Sequence, residues 1–303
     1  MNIAQNFRRT RPRLIIAATV LAIAARLIPA SQIASARTTS AATFGPKPTI
    51  VLEHGAWADS SSWTGVIRRL QRDGYTVDAP PNPLRGLSYD SATLADYLAT
   101  IPGPIVLVGH SYGGAVITNA ATGNPNVKAL VYVDAFIPEQ GDTISGLAAA
   151  RPGSCLNGDP AKIFHVVPYP GAPSGDFDAY LNTAASPPYP GFARCFANGL
   201  PAQQAAILAV TQRPITLSAI SAPSGPPAWK TIPSWALVGT ADHVIPPAEQ
   251  LFMANRAHAH ITQINAGHLS LISRPGTVTN VILRAARPPD KRREHSTGRR
   301  MPS

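Results

Sequence analysis

Residues 105–114 read Ile-Val-Leu-Val-Gly-His-Ser-Tyr-Gly-Gly. The run Ile105 to Val108 is apolar and β-branched, too short for a helical period, and reads as a buried strand. Tyr112 to Thr122 then follows with helical character. Between them Ser111 stands with Gly109 and Gly113 on either side, and Gly114 follows. A sharp strand-to-helix turn leaves no room for side chains beside its apex, so glycines at those positions and a serine at the tip form a nucleophile elbow, Gly109-His110-Ser111-Tyr112-Gly113. Such a turn presents the Ser111 hydroxyl at the carboxyl edge of a sheet. There the first amides of a helix favour developing negative charge.

The flanking sequence supplies the sheet that the elbow requires. Short apolar runs at 49–53, 76–79, 105–108, 129–133, 234–238 and 261–265 alternate with helical segments at 61–72, 91–100, 112–122, 247–258 and 277–286. That alternation predicts the α/β class, a mostly parallel β-sheet flanked by helices, in one domain over residues 37–286. No segment repeats at a fixed period. The alternation fails between about 139 and 229, a stretch rich in Pro, Gly, Ser and Ala with one helical segment near 202–210. An interruption of that length points to a cap over the site, the competing reading being a disordered insertion.

A serine hydroxyl attacks only when a base takes its proton, and in elbow proteins the order along the chain is Ser, acid, His. Of eight histidines, His268 alone follows the last strand and precedes the last helix. His295 lies in the tail, His258 and His260 at a helix-strand junction, His165 in the cap, and His243 beside the acid. His54 and His110 adjoin other parts of the site, His54 in a structural role. Asp242, after the penultimate strand, is the expected acid, with Asp134, at the end of the strand after the elbow helix, as its rival. The oxyanion requires two amides, expected from Tyr112 and from Ala56 in the loop after the first strand. Trp57 and Trp63 either line the pocket or pack the core.

The stretches HGAWADSSSW (54–63), VLVGHSYGG (106–114), PSWALVGTADHVIPP (233–247) and AGHLSLISRP (266–275) resemble the α/β-hydrolase superfamily over roughly residues 48–286. More narrowly they resemble its small single-domain branch of plant methylester esterases, hydroxynitrile lyases and bacterial hydrolases. The resemblance implies the triad Ser111, Asp242 and His268, oxyanion amides on Ala56 and Tyr112, and no cofactor. The cap departs from the plant members in its prolines and its two cysteines, so the resemblance transfers no substrate.

The ends differ from the middle. Residues 1–36 combine a basic start, the apolar run Leu14 to Ala25 and the small-residue pattern Ala34-Ser35-Ala36, which predicts a signal peptide and export, by the general or the twin-arginine route. The run of about 12 residues is shorter than the ~20 that a spanning helix needs. Residues 287–303 read as a disordered basic tail. The five arginines of 1–36 and the net four positive charges of 287–303 account for nine of the formal +10. The near-neutral remainder argues against a nucleic-acid partner and leaves a small-molecule ester as the expected one. Cys155 and Cys195 are expected to form a disulfide in an exported protein and lack the neighbours of a metal site.

These residues predict a secreted serine esterase working through an acyl-enzyme. Two alternatives remain at this level. The same triad serves cyanohydrin cleavage or cofactor-free perhydrolysis if a basic or polar group stands above Ser111, and a cation there, Lys162 or Lys230 from the cap region, would favour the lyase. A non-catalytic small-molecule binding protein is the other. Oligomeric state is not encoded in any of these patterns.

Overall fold

The computed structural model describes residues 46–287. The leader read over 1–36 and all but the first residue of the basic tail lie outside the described residues. Six strands form one parallel sheet: β1 (Thr49–Glu53), β2 (Val77–Asp78), β3 (Ile105–His110), β4 (Val127–Val133), and, beyond the cap, Ser234–Gly239 and His260–Ile264. Every residue of β3 is buried, as is all of β4 except Lys128. Burial on both faces is why these strands read as unbroken apolar runs and not as alternating ones.

Helices α1 (Thr64–Arg72), α2 (Leu87–Ala99) and α3 (Tyr112–Ala120) follow the first three strands in turn. Within the cap the chain forms α4 (Ile144–Ala149), α5 (Pro160–Ile163), β5 (Phe164–Val167), β6 (Asp178–Leu181), α6 (Gly191–Cys195), α7 (Ala202–Thr211), β7 (Ile215–Thr216) and α8 (Leu217–Ser221). It then returns to the sheet as β8 (Ser234–Gly239), α9 (Pro247–Arg256), β9 (His260–Ile264), α10 (Ser270–Ser273) and α11 (Pro275–Ala285). The strand order is β2-β1-β3-β4-β8-β9. The chain therefore runs from β1 outward to β2 and returns to the other side of β1 as β3. In open parallel sheets the crevice at such a reversal, outside the carboxyl ends of the strands, is where ligands bind. No helix of the described residues is long and apolar enough to cross a membrane.

The cap is more ordered than its composition predicts. Strands β5, β6 and β7 form a separate antiparallel sheet in that order. They are only two to four residues long, too short for an alternating pattern to be read. Cys155 and Cys195 are joined by a disulfide with their Cα atoms 5.7 Å apart. The bridge spans 40 residues of sequence. Closing a loop of that size removes roughly 4 kcal/mol of unfolded-chain entropy. Trp57, in the loop after β1, fastens the main domain to this sheet: its indole N–H donates to the Ala179 carbonyl at 3.0 Å, and its ring stacks on Phe164. Trp63 is fully buried and packs edge-on to His110.

Candidate active site

Ser111 sits between β3 and α3 with φ 54° and ψ −125°. A non-glycine residue in that region costs on the order of 1–3 kcal/mol and persists only when its surroundings over-determine it. Here the Ser111 carbonyl accepts from the amides of Gly114 (2.9 Å) and Phe136 (3.2 Å). The flanking glycines are required by close approach. A Cβ on Gly109 would lie 2.5 Å from the Gly113 carbonyl oxygen, and one on Gly113 would lie 2.7 Å from the Glu53 carbonyl oxygen. The elbow thus nests against the end of β1, whose next residues, His54 to Trp57, carry the second expected oxyanion amide.

The structure brings Ser111, His268 and Asp242 together from three strand ends. Ser111 Oγ lies 2.9 Å from His268 Nε2, and His268 Nδ1 lies 2.8 Å from Asp242 Oδ2. When Asp242 is ionised it can only accept, so Nδ1–H then donates to it and Nε2 is left to accept from the Ser111 hydroxyl. Asp242 is held by three further donors: the amides of Val244 (2.7 Å) and Ile245 (3.1 Å), and the Gln250 side chain (2.7 Å). Burial draws both partners toward their neutral forms, lowering His268 and raising Asp242, while those donors oppose the rise in Asp242. A neutral imidazole is the form a base needs.

Asp134, the rival acid, makes no bond to His268. Its two oxygens accept from the amides of Gly239 (2.8 Å) and Ser270 (3.2 Å), so it ties the end of β4 to β8 and to α10. Burial, and then the neighbouring Asp242 charge, hold its carboxyl well above the usual range. His54 is also structural. Its Nδ1–H donates to the Gly55 carbonyl, its Nε2 accepts the Asn82 amide, and burial lowers it to about 4. His110 reaches behind the site, donating from Nε2 to the His268 carbonyl at 3.0 Å. The Tyr112 hydroxyl donates to Asp90 at 2.7 Å, tying α3 to α2.

Ser111 opens into a cavity of about 270 Å³ shared with Ala56, Trp57, Phe136, Ile144 and Phe164, and Tyr112 also borders it. Among the described residues no charged side chain lines it. Both lysines considered for the lyase reading lie elsewhere. Lys230 pairs with Glu139 at 2.7 Å on the surface, and Lys162 borders a separate crevice beside the disulfide.

An elbow at the switch point of a parallel sheet, under a cap inserted between β4 and β8, defines the α/β-hydrolase fold. The chain belongs to the alpha/beta hydrolase family, whose model matches residues 50–281. It is similar to the carbendazim hydrolyzing esterase of Nocardioides sp. (strain SG-4G), 36% identical over 110 residues. That match covers 32% of this chain and spans 46%, about half, of the relative. Among solved structures it resembles polyneuridine aldehyde esterase, with a TM-score of 0.65 at 19% identity, covering 80% of this chain and 100% of the other. A pyrethroid hydrolase from Sphingobium faniae JZ-2 matches with a TM-score of 0.58 at 21% identity, covering 80% and 98% of the two chains. At such identities these structures share the fold.

Residues that the sequence patterns did not single out also belong to the site. Gln250 on α9 bonds Asp242, and Asn198 in the cap donates to the Ala241 carbonyl at 2.6 Å. Gln250 lies only eight residues beyond Asp242, but Asn198 is 43 residues before Ala241, and no spacing rule connects them.

Proposed function

We propose that this protein hydrolyses carboxylic esters with small to medium, uncharged, apolar groups, using Ser111 as nucleophile, His268 as general base and Asp242 as its orienting acid. One observation carries the reading: an unbroken hydrogen-bond line from Ser111 through His268 to Asp242 begins at an elbow that faces an apolar cavity. Ser111 Oγ attacks the ester carbonyl as His268 Nε2 takes its proton, and the amides of Ala56 and Tyr112 receive the oxyanion. The imidazolium, stabilised by Asp242, then protonates the leaving alcohol. Water, deprotonated by His268, attacks the acyl-enzyme and releases the acid. The esterase named among the relatives fits this chemistry. Cyanohydrin cleavage, which needs a cation above the serine, gains no support from the cavity's uncharged lining.

The test is a chain-length series of chromogenic acyl esters with the purified protein. Turnover should peak at short to medium acyl groups, and an analogue carrying a carboxylate on its acyl chain should react at least tenfold more slowly, because its charge would be stripped of water in the cavity. Failure to turn over any member of the series by a folded sample would sink the proposal.

We also infer that the protein is exported. The basic start, short apolar run and small-residue pattern of residues 1–36 support this, and the Cys155–Cys195 bridge fits an oxidising compartment. N-terminal sequencing of protein recovered from outside the cytoplasm should begin near residue 37; recovery of an uncleaved chain from the cytoplasm alone would contradict export.

A further inference from the structure

The loop that carries Asp242 is gripped by the cap at successive residues. The Ala241 carbonyl accepts from Asn198 Nδ2 at 2.6 Å, and the His243 carbonyl accepts from the Cys155 amide at 2.7 Å. His243 Nδ1 lies 3.0 Å from the Arg194 carbonyl, and the Val244 carbonyl accepts from Ser154 Oγ at 2.7 Å. These cap groups come from two short segments, 154–155 and 194–198, and the disulfide joins those two segments to each other. The base loop meets the same cap segment. Asn198 Oδ1 lies 3.5 Å from the His268 amide, and the Phe196 ring sits 5.2 Å from the imidazole. Gly267 permits this approach, since a Cβ there would lie 2.3 Å from the Asn198 carbonyl oxygen.

We propose that Asn198 is a positioning residue that, with the disulfide behind it, locks the Asp242 loop to the cap in catalytic register. The proposal rests on the triad reading above and extends it: the cap then does more than cover the cavity. Asn198 lines no part of the cavity around Ser111. It therefore acts on the rate through the acid's loop and leaves ester binding alone. The bond to Ala241 is the short one and carries the lock; the contact with the His268 amide is too long to carry it. A shift of about 1 Å in a catalytic group lowers turnover by as much as 10²-fold. Loss of the Ala241 bond accordingly lowers kcat, with KM unchanged.

The experiment compares wild type with Asn198→Ala and Asn198→Asp in steady-state ester hydrolysis, thermal melting and labelling by a fluorophosphonate probe. Asn198→Asp keeps an oxygen toward His268 and removes the donor to Ala241, so it should fall with the alanine variant. The expected result is a kcat roughly 10- to 100-fold lower in both, at wild-type KM. The same loss of kcat should appear in the wild-type protein after reduction of its disulfide, which supplies the reading if either variant does not fold. A kcat within twofold of wild type in the Asn198 variants, or a change confined to KM, would overturn the lock while leaving the triad standing. A wild-type Ser111 that the probe does not label would instead count against the triad, and the lock would fall with it.

Discussion

Ser111→Ala is expected to lower kcat for ester hydrolysis by about 10⁵-fold or more, with the fold retained. On the proposed mechanism the size follows from removal of the atom that forms the acyl-enzyme, a loss that in serine hydrolases approaches removal of the whole triad. Retention of the fold follows from the backbone. The φ of 54° at residue 111 is held by the Ser111 carbonyl's bonds to Gly114 and Phe136, which alanine keeps, and alanine tolerates that conformation no worse than serine. The side chain it removes has a single partner, His268. Steady-state kinetics with circular dichroism check both halves. Activity within tenfold of wild type in a folded variant would remove Ser111 from the mechanism.

Asp242→Asn should lower kcat by about 10⁴-fold, chiefly through the tautomer, with loss of the Gln250 bond to the same oxygen as a second effect. The amides of Val244 and Ile245 compel an acceptor oxygen on one side of residue 242, so an asparagine must turn its NH₂ toward His268. That group donates to Nδ1, leaves the imidazole proton on Nε2 and faces Ser111 with a donor where an acceptor is required. The paired control is Asp134→Asn. Asp134 serves the Gly239 and Ser270 amides, so this change should cost about 1–3 kcal/mol of stability and lower kcat less than tenfold. The melting temperatures and kcat values of the two variants, measured together, separate the acid from the brace. Equal losses of kcat would contradict the assignment.

The parallel sheet, the elbow and the places where a base and an acid could stand are all legible in the amino-acid order. Each of these is written within one element and its adjoining turn. The buried runs of β3 and β4 are continuous because both faces are covered, and Gly109 and Gly113 mark a turn whose apex must be bare. His268 stands out because it follows the last strand. Position after the penultimate strand favours Asp242 as the acid, but Asp134 also follows a strand, and strand position alone does not separate the two. Only the packing of β4 beside β8 turns one carboxylate toward His268 and the other toward the Gly239 and Ser270 amides. The cap was harder still. Its strands are shorter than a readable period, and its grip on the acid loop runs from residues 154, 155, 194 and 198 to 241–244. Periodicity and turn chemistry act over a few residues, whereas these bonds join backbone carbonyls to side chains and amides distant in the chain. Any residue type presents the same carbonyl, so only the tertiary structure could reveal which ones the cap holds.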